Sequence, residues 1–422
     1  MEKQGTMSIK TKRLDALLQS DIKRVLLRPF NPTTQERSQK IINRVLSLSA
    51  NQVREEYDQI LNDFKHRHRN IELYFIQRYR DNSNFVDNNR RLSETQKLLI
   101  GAYFTNEYSL EAASLFNPSM VWYPDQSDAP NGNRRFIISL RATGEGHISS
   151  IQFRSGHITP DYSVIIDETS DWVTSPIYNE EQYGYEASFK EDYPLSERIL
   201  FPCLPEESNG MEDLRLVYFF HENKKTTYYG TYTAYDGRQI HSMLLETKDF
   251  LRFRIRKLAG PEVQNKNLAL FPRMINGNYV MLSRQDNENN YIMFSDKLDC
   301  WNEKALLMEP QYPWEFFQIG NCGSPIETAE GWLVLSHGVG PMRRYVISAF
   351  LLDLNDPTRV LGRLNKPLLL ANENEREGYV PNVVYTCGGQ IYNNSLIFPY
   401  AMSDYACGFA QVSLDLLLNE FD

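Results

Sequence analysis

Residues Gly210-Met211-Glu212-Asp213-Leu214-Arg215 set two carboxylates and a guanidinium immediately ahead of an apolar run, Leu216-Val217-Tyr218-Phe219-Phe220, that reads as a buried strand. An ionised carboxylate buried alone is unfavourable, and its pKa climbs until it holds its proton. These acids must therefore be paired or put to use. Paired, they make a structural Asp–Arg contact at a turn. Used, they suit general acid catalysis, which at neutral pH needs a carboxyl whose pKa has been raised by burial and a neighbouring acid such as Glu212. In an extended chain Glu212 and Leu214 point to one side, Asp213 and Arg215 to the other.

The elements able to position such a group change character along the chain. From about Leu14 to Phe104 the spacing predicts helices, with Val53, Tyr57, Ile60, Leu61 and Phe64 forming one apolar stripe. Ser49 with Gln52 and Ser93 with Gln96 have capping-box spacing. Arg28-Pro29-Phe30-Asn31-Pro32 breaks the first helix from the second. Beyond Ser109 short strand-like runs take over, among them 135–140, 148–153, 162–166, 216–220, 227–233, 279–283, 291–294, 332–336, 345–352 and 395–400. Many strands at regular spacing imply an all-β sandwich, barrel or propeller. A faint echo between 243–250 and 292–299, each an apolar strand ending in a hydroxyl–acid turn, favours the propeller.

With 422 residues the chain can bury a large core, and its net charge of −9 argues against a general nucleic-acid binder. The charge is uneven: residues 1–100 carry 19 Lys and Arg against 12 Asp and Glu, which leaves −16 for the remainder. A basic helical segment beside an acidic body is the simplest reading of that split. Cys203, Cys300, Cys322, Cys387 and Cys407 are scattered and odd in number, which suits neither a disulfide framework nor a CxxC metal site. The first fifteen residues lack an apolar leader segment and no run has membrane-spanning length, so a soluble, cytoplasmic protein is expected.

Seven stretches carry a family resemblance: Arg141-Ala142-Thr143-Gly144-Glu145-Gly146-His147; 210–215; Tyr232-Thr233-Ala234-Tyr235-Asp236-Gly237; Leu270-Phe271-Pro272-Arg273; Ser336-His337-Gly338-Val339; 345–357; and 378–388. In these motifs, in order from Phe116 to the end, the chain resembles glycoside hydrolase family 130, the β-mannoside phosphorylases and β-mannosidases. The resemblance implies an all-β fold, a five-bladed β-propeller over 109–422, with an N-terminal α-helical appendage over 1–108 outside the common core. It implies a central funnel that cleaves a β-linked mannoside with inversion, and it puts the acid on Asp213, working through a hydroxyl of the bound sugar. Arg215 is then expected to pair with Glu212 or to hold substrate, because contact with Asp213 would oppose a raised pKa.

The family divides at the second reactant. Phosphorolysis needs fixed cations that hold dianionic phosphate opposite the leaving group. Where the phosphorylase pattern has an Arg after the Tyr-Asp-Gly turn this chain has His241, while Lys266-Asn267 and His337 are kept and Arg343 can stand in for the lost cation. Glu246 and Glu288 are candidates for a water-activating base, which an inverting hydrolase sets about 6.5–9.5 Å from its acid; each also reads as an ordinary solvated acid. The balance favours an inverting β-1,2-mannosidase. A β-mannoside phosphorylase releasing mannose 1-phosphate and a non-catalytic sugar-binding propeller are the alternatives. Substrate contacts are expected from Arg141, His147, Glu212, Arg215, Tyr235, Asp236, Arg273, Arg284 and Asp404. Lys266, His337 and Arg343 are assigned to phosphate if phosphate is the co-substrate. No cofactor, metal, nucleic acid or membrane partner is expected; the partner is a small oligosaccharide, and any self-association would run through the helices.

Overall fold

The computed structural model describes residues 11–421 except 88, 131 and 192. The chain divides into two compact units. Of the described residues, one unit holds those up to Ser20, those within Glu111–Thr169 and those from Ser175 on; the other holds those within Asp21–Leu110 and Ser170–Thr174.

The first unit is built from antiparallel sheets. Its longest sheet, eleven strands, runs from Ser114–Trp122 through Arg134–Thr143 and Ser149–Ile158 to Gly210–Phe220, Thr226–Tyr235, Ile240–Thr247, Arg252–Lys257, Gly184–Ser188 and Ile177–Glu181, with two short strands beside Ser149–Ile158. Its two halves join only through one parallel pair, Gly210 with Ser149. Next come a four-stranded sheet from Ala269–Leu270 to Lys304–Met308 and a five-stranded sheet around Trp332–Val339 and Tyr345–Leu352. The last sheet pairs Ser395–Met402 with Ala406–Ser413, and its outer strand is Lys12–Gln19 from the start of the chain.

Helix was expected from Leu14 on, so Lys12–Gln19 is a correction. Leu14, Ala16 and Leu18 alternate at period two, and the free edge of Ala406–Ser413 supplies the hydrogen bonds. Arg13 secures the strand, reaching Glu375 at 2.6 and 2.7 Å and the Leu370 carbonyl at 2.6 Å.

The two halves of the eleven-stranded sheet, and then successive sheets, pack their apolar faces on one another. Ile137, Ile151 and Phe153 meet Leu214, Leu216 and Tyr228. Val217, Phe219 and Leu244 meet Leu270, Met281 and Met293. Phe271, Leu282 and Ile292 meet Trp332, Val334 and Phe350. Leu333, Leu335 and Ile347 meet Val384, Leu396 and Phe398, and Ile397, Ala401 and Phe409 return to Leu115, Phe136 and Ile138. The cores lie between sheets, so each sheet must be apolar on both faces; the near-continuous burial along Trp332–Val339 and Ser395–Met402 is the consequence.

The second unit has four α-helices, Gln35–Leu46, Ala50–Phe64, Ile71–Asp81 and Glu94–Tyr103, and a two-stranded sheet, Val25–Pro29 with Thr105–Ser109. Both predicted capping boxes form, Ser49 with Gln52 and Ser93 with Gln96. Val53 and Tyr57 of the predicted stripe are buried, whereas Phe64 at its end is exposed. Among the described residues no helix is long and apolar enough to cross a membrane.

Candidate active site

The strand Gly210–Phe220 is interrupted where its acids lie. Glu212 stands opposite Thr233 and Arg215 opposite Thr231, so Asp213 and Leu214 share the single partner Tyr232 in a β-bulge, and Asp213 takes a left-handed φ of 54°. The extra residue cancels the alternation expected from an extended chain. Glu212 and Asp213 now face the same guanidinium: Arg141 Nη2 lies 2.8 Å from Glu212 Oε1, and Nη1 lies 3.4 Å from Asp213 Oδ1.

A second bulge, between Phe116 and Ser119 of Ser114–Trp122, puts Asn117 at φ 48°, from where its amide donates to Asp213 Oδ1 at 2.7 Å. Two non-glycine residues in left-handed backbone thus meet at one carboxylate, the kind of local strain that concentrates at functional sites.

Arg215 is not where the sequence placed it. Its guanidinium is buried behind the bulge, donating to the Cys322 carbonyl at 2.8 Å, the Asp213 carbonyl at 2.9 Å and the Tyr385 hydroxyl at 2.8 Å, and it lies 3.9 Å from Asp213 Oδ2. Glu212 pairs instead with Arg141 and with Lys266 Nζ at 2.5 Å. The raised pKa expected of Asp213 is also reversed. Burial pushes it up, but the charges of Arg141, Arg215 and Lys266 and the Asn117 amide together hold it below the usual carboxylate range. The proton moves to its neighbour: burial and the negative charge of Asp213 raise Asp404 to about 7, against the pull of Arg141 and Arg343.

Asp213 and Asp404 open onto a cavity of about 160 Å³, whose wall also includes Lys266, Asn267, Arg284, His337 and Arg343. Asn117, Asp213, Asn267, Arg343 and Asp404 all have positive φ, so much of the wall is made of left-handed turns and bulges that aim side chains inward. Arg284 is 6% exposed, yet its Nε and Nη1 have no hydrogen-bond partner; burial lowers its pKa. His337 is buried too, with Nδ1 unpartnered, and burial together with Arg284 and Arg215 keeps it neutral. Its ring stacks on Tyr345 at 5.8 Å and fits against Gly320, where any Cβ would come within 2.6 Å of Cε1. Buried polar atoms left unpaired in this way are rare in folded proteins unless something else satisfies them. The two open N–H donors of Arg284, beside the cations of Lys266 and Arg343, make a receptor for an anionic group with several acceptor oxygens.

Several expected residues lie elsewhere. Glu246 pairs with Arg256 at 2.9 Å across two neighbouring strands, Ile240–Thr247 and Arg252–Lys257. Glu288 is exposed on a tip where Asp286 accepts its backbone amide at 2.9 Å. Neither is among the residues lining the cavity, so neither is placed to act as base there. Arg273 is held by Glu327 at 2.8 and 2.9 Å and over Trp332 at 4.8 Å. Tyr235 and Asp236 belong to a turn in which the Asp236 carboxylate accepts from the amides of Gln239 and Arg238 and meets His241 at 3.1 Å; these contacts bring its pKa down to about 2. His147 has φ 61° and lies 3.1 Å from the Tyr379 hydroxyl. The reading missed Asn117, Tyr345 and Tyr385. An Asn-Pro pair inside an otherwise apolar strand, Asn117-Pro118, was the available signal for the first, since Pro in a sheet marks a bulge or an edge.

Among the described residues no cluster of three or more His, Cys, Asp or Glu is arranged to hold a metal ion.

This arrangement can be set beside known proteins. Residues 190–422 match the family model Glyco_hydro_130, described as β-1,4-mannooligosaccharide phosphorylase. The chain is 34% identical over 209 residues to a 1,2-β-oligomannan phosphorylase of Thermoanaerobacter sp., covering 49% of this chain and 69% of that protein. It is 33% identical over 255 residues to a β-1,2-mannobiose phosphorylase of the same organism, covering 55% and 79%. Its fold is similar to the solved structure of a Listeria innocua β-1,2-mannobiose phosphorylase, with a TM-score of 0.54 and 21% identity over 73% of this chain and 92% of that one. The match spans more than half the chain and includes the bulged acid at Asp213: the protein belongs to glycoside hydrolase family 130, a family of carbohydrate-cleaving enzymes.

Proposed function

We propose that the protein is an inverting β-mannoside phosphorylase on a five-bladed β-propeller, splitting β-1,2-linked manno-oligosaccharides with inorganic phosphate to release α-mannose 1-phosphate. The observation that carries this reading is the pair of buried, unpartnered N–H donors of Arg284, Nε and Nη1, in the same cavity as Asp213, with His337, Lys266 and Arg343 alongside. Phosphate held there attacks the anomeric carbon, the C1–O bond to the next sugar breaks, and the leaving oxygen takes a proton that Asp213 supplies through a sugar hydroxyl. Of the cations that keep Asp213 ionised, Lys266 also lines the cavity, where phosphate would neutralise it. A dianion arriving beside Lys266 and Arg284 raises the proton affinity of the carboxyl, so binding the nucleophile arms the acid.

The hydrolase expectation loses its footing with Glu246 and Glu288 outside the cavity, and the similarity to two phosphorylases favours the alternative. The five-blade reading is supported by five antiparallel groups of strands whose cores follow one another and return to the first. Substrate class and reaction are tested together by incubating the protein with β-1,2-mannobiose, with and without phosphate, and following mannose 1-phosphate by ³¹P NMR. Turnover is expected to depend on phosphate. Release of free mannose at the same rate without phosphate would establish hydrolysis instead.

A further inference from the structure

The cavity around Asp213, about 160 Å³, is smaller than the roughly 300–1,000 Å³ of sites that enclose a drug-sized ligand. An oligosaccharide cut there must leave its remaining units outside, on whatever surface adjoins the cavity. One wall residue, Gln318, is preceded by Phe316 and Phe317, which are 62% and 72% exposed. Adjacent bare phenylalanines are an unfavourable surface feature unless something covers them.

The loop that carries them is held rigidly. Glu315, 1% exposed, accepts the amides of Gln311 at 2.8 Å and Tyr312 at 3.0 Å and pairs with Arg363 at 2.5 Å. Trp314 donates to the Asn365 carbonyl at 3.2 Å, and its ring seats on Gly338, where a Cβ would come within 2.5 Å. Trp314 and Glu315 thus anchor the backbone from which the two rings project. The Phe317 amide bonds Val339 at 3.0 Å, at the start of the same turn that sends Arg343 into the cavity wall and leaves Met342 88% exposed.

We propose that Phe316 and Phe317 are an apolar platform for the sugar units lying beyond the bond cleaved at Asp213, so that they set the enzyme's preference for chain length. The proposal rests on the phosphorylase reading of the cavity. A pyranose presents an apolar C–H face that a flat ring can cover, and the two rings directly precede the wall residue Gln318 in the chain.

The test compares phosphorolysis of β-1,2-linked mannobiose, mannotriose and mannotetraose by the wild type, F316A/F317A and F316W/F317W. The loss in kcat/KM for the double alanine variant is expected to grow with chain length, reaching about tenfold on the tetrasaccharide, while the tryptophan variant keeps the wild-type order. Equal losses on all three substrates, no loss on the tetrasaccharide, or a changed oligomeric state by light scattering with unaltered kinetics would each overturn it. Calorimetric titration with mannotetraose in the absence of phosphate separates the two readings. Tighter binding by the wild type than by F316A/F317A, with no turnover on adding phosphate, would keep the platform and discard the phosphorylase.

Discussion

Two carboxylates six positions apart, Glu207 fully buried and Asp213 at a cavity wall, are treated in opposite ways by the fold. Glu207 accepts from the Tyr185 hydroxyl at 3.2 Å, the Cys203 amide at 2.8 Å, the Leu204 amide at 3.1 Å and, through a short bond, the Tyr232 hydroxyl. Every donor around it is spent. Asp213 sits at a strained bulge among three cations, beside Arg284, whose N–H donors are open, and His337, whose Nδ1 is unpartnered. Burial raises the pKa of Glu207, whereas the charges around Asp213 lower its pKa despite burial. Burial alone therefore does not mark a functional acid; unsatisfied neighbours do.

If that contrast is right, the two sites fail differently. Asp213→Asn should cut kcat by about 10³-fold or more while leaving the melting temperature within a few degrees, because the amide can still accept from Asn117. A variant with near-wild-type kcat would remove Asp213 from the chemistry. Arg284→Met comes next. It should raise the KM for phosphate by about 30–100-fold, yet stability should hold or improve, since an unpartnered buried charge is removed. Unchanged phosphate dependence would mean that the open donors serve another group. Glu207→Ala should do the reverse, costing about 3 kcal/mol in urea unfolding by stranding two tyrosine hydroxyls and two amides, with kcat of the folded fraction near wild type.

The contrast also explains what could be read in the sequence and what could not. Asp213 was legible because acids at the head of an apolar strand are anomalous whatever surrounds them. The side it faces was not, because the bulge that reverses it depends on pairing with Tyr232 and Thr233 rather than on the local run. Arg215 was misassigned for the same reason: its acceptors, Cys322, Tyr385 and the Asp213 carbonyl, come mostly from strands distant in sequence. Glu246 and Glu288 were reasonable by position, but nothing local reports that Arg256 and an exposed tip would claim them. The capping boxes of the helices were fully local and could be read directly. Lys12–Gln19 alternated like a strand yet was absorbed into a helical reading, since its partner lies at the other end of the chain.

The finest distinction between the two sites is in how stability follows pH. Asp404 shares the cavity with Asp213 and holds a proton to about pH 7, well above an unfolded aspartate. A folded-state pKa raised in this way adds stability that is complete below the unfolded value and is lost as pH rises through the folded one. Asp213, with its pKa lowered, contributes in the opposite sense, losing stability only as pH falls through the acidic range. Between pH 5 and 8 the Asp404 contribution operates without the Asp213 one but against that of His337, which the fold keeps neutral and which therefore adds stability as pH rises toward the unfolded histidine value; relative to Asp404→Asn the wild type should lose on the order of 1–3 kcal/mol, a few degrees in Tm, across that window. Asp404→Asn keeps a neutral side chain at every pH and should remove that contribution, leaving those of Glu207, whose raised pKa has the same sign, and His337, whose lowered pKa has the opposite one. Thermal scans of both proteins at pH 5, 6.5 and 8 make the comparison. Equal slopes would show that the proton shared by the cavity acids does not reside on Asp404.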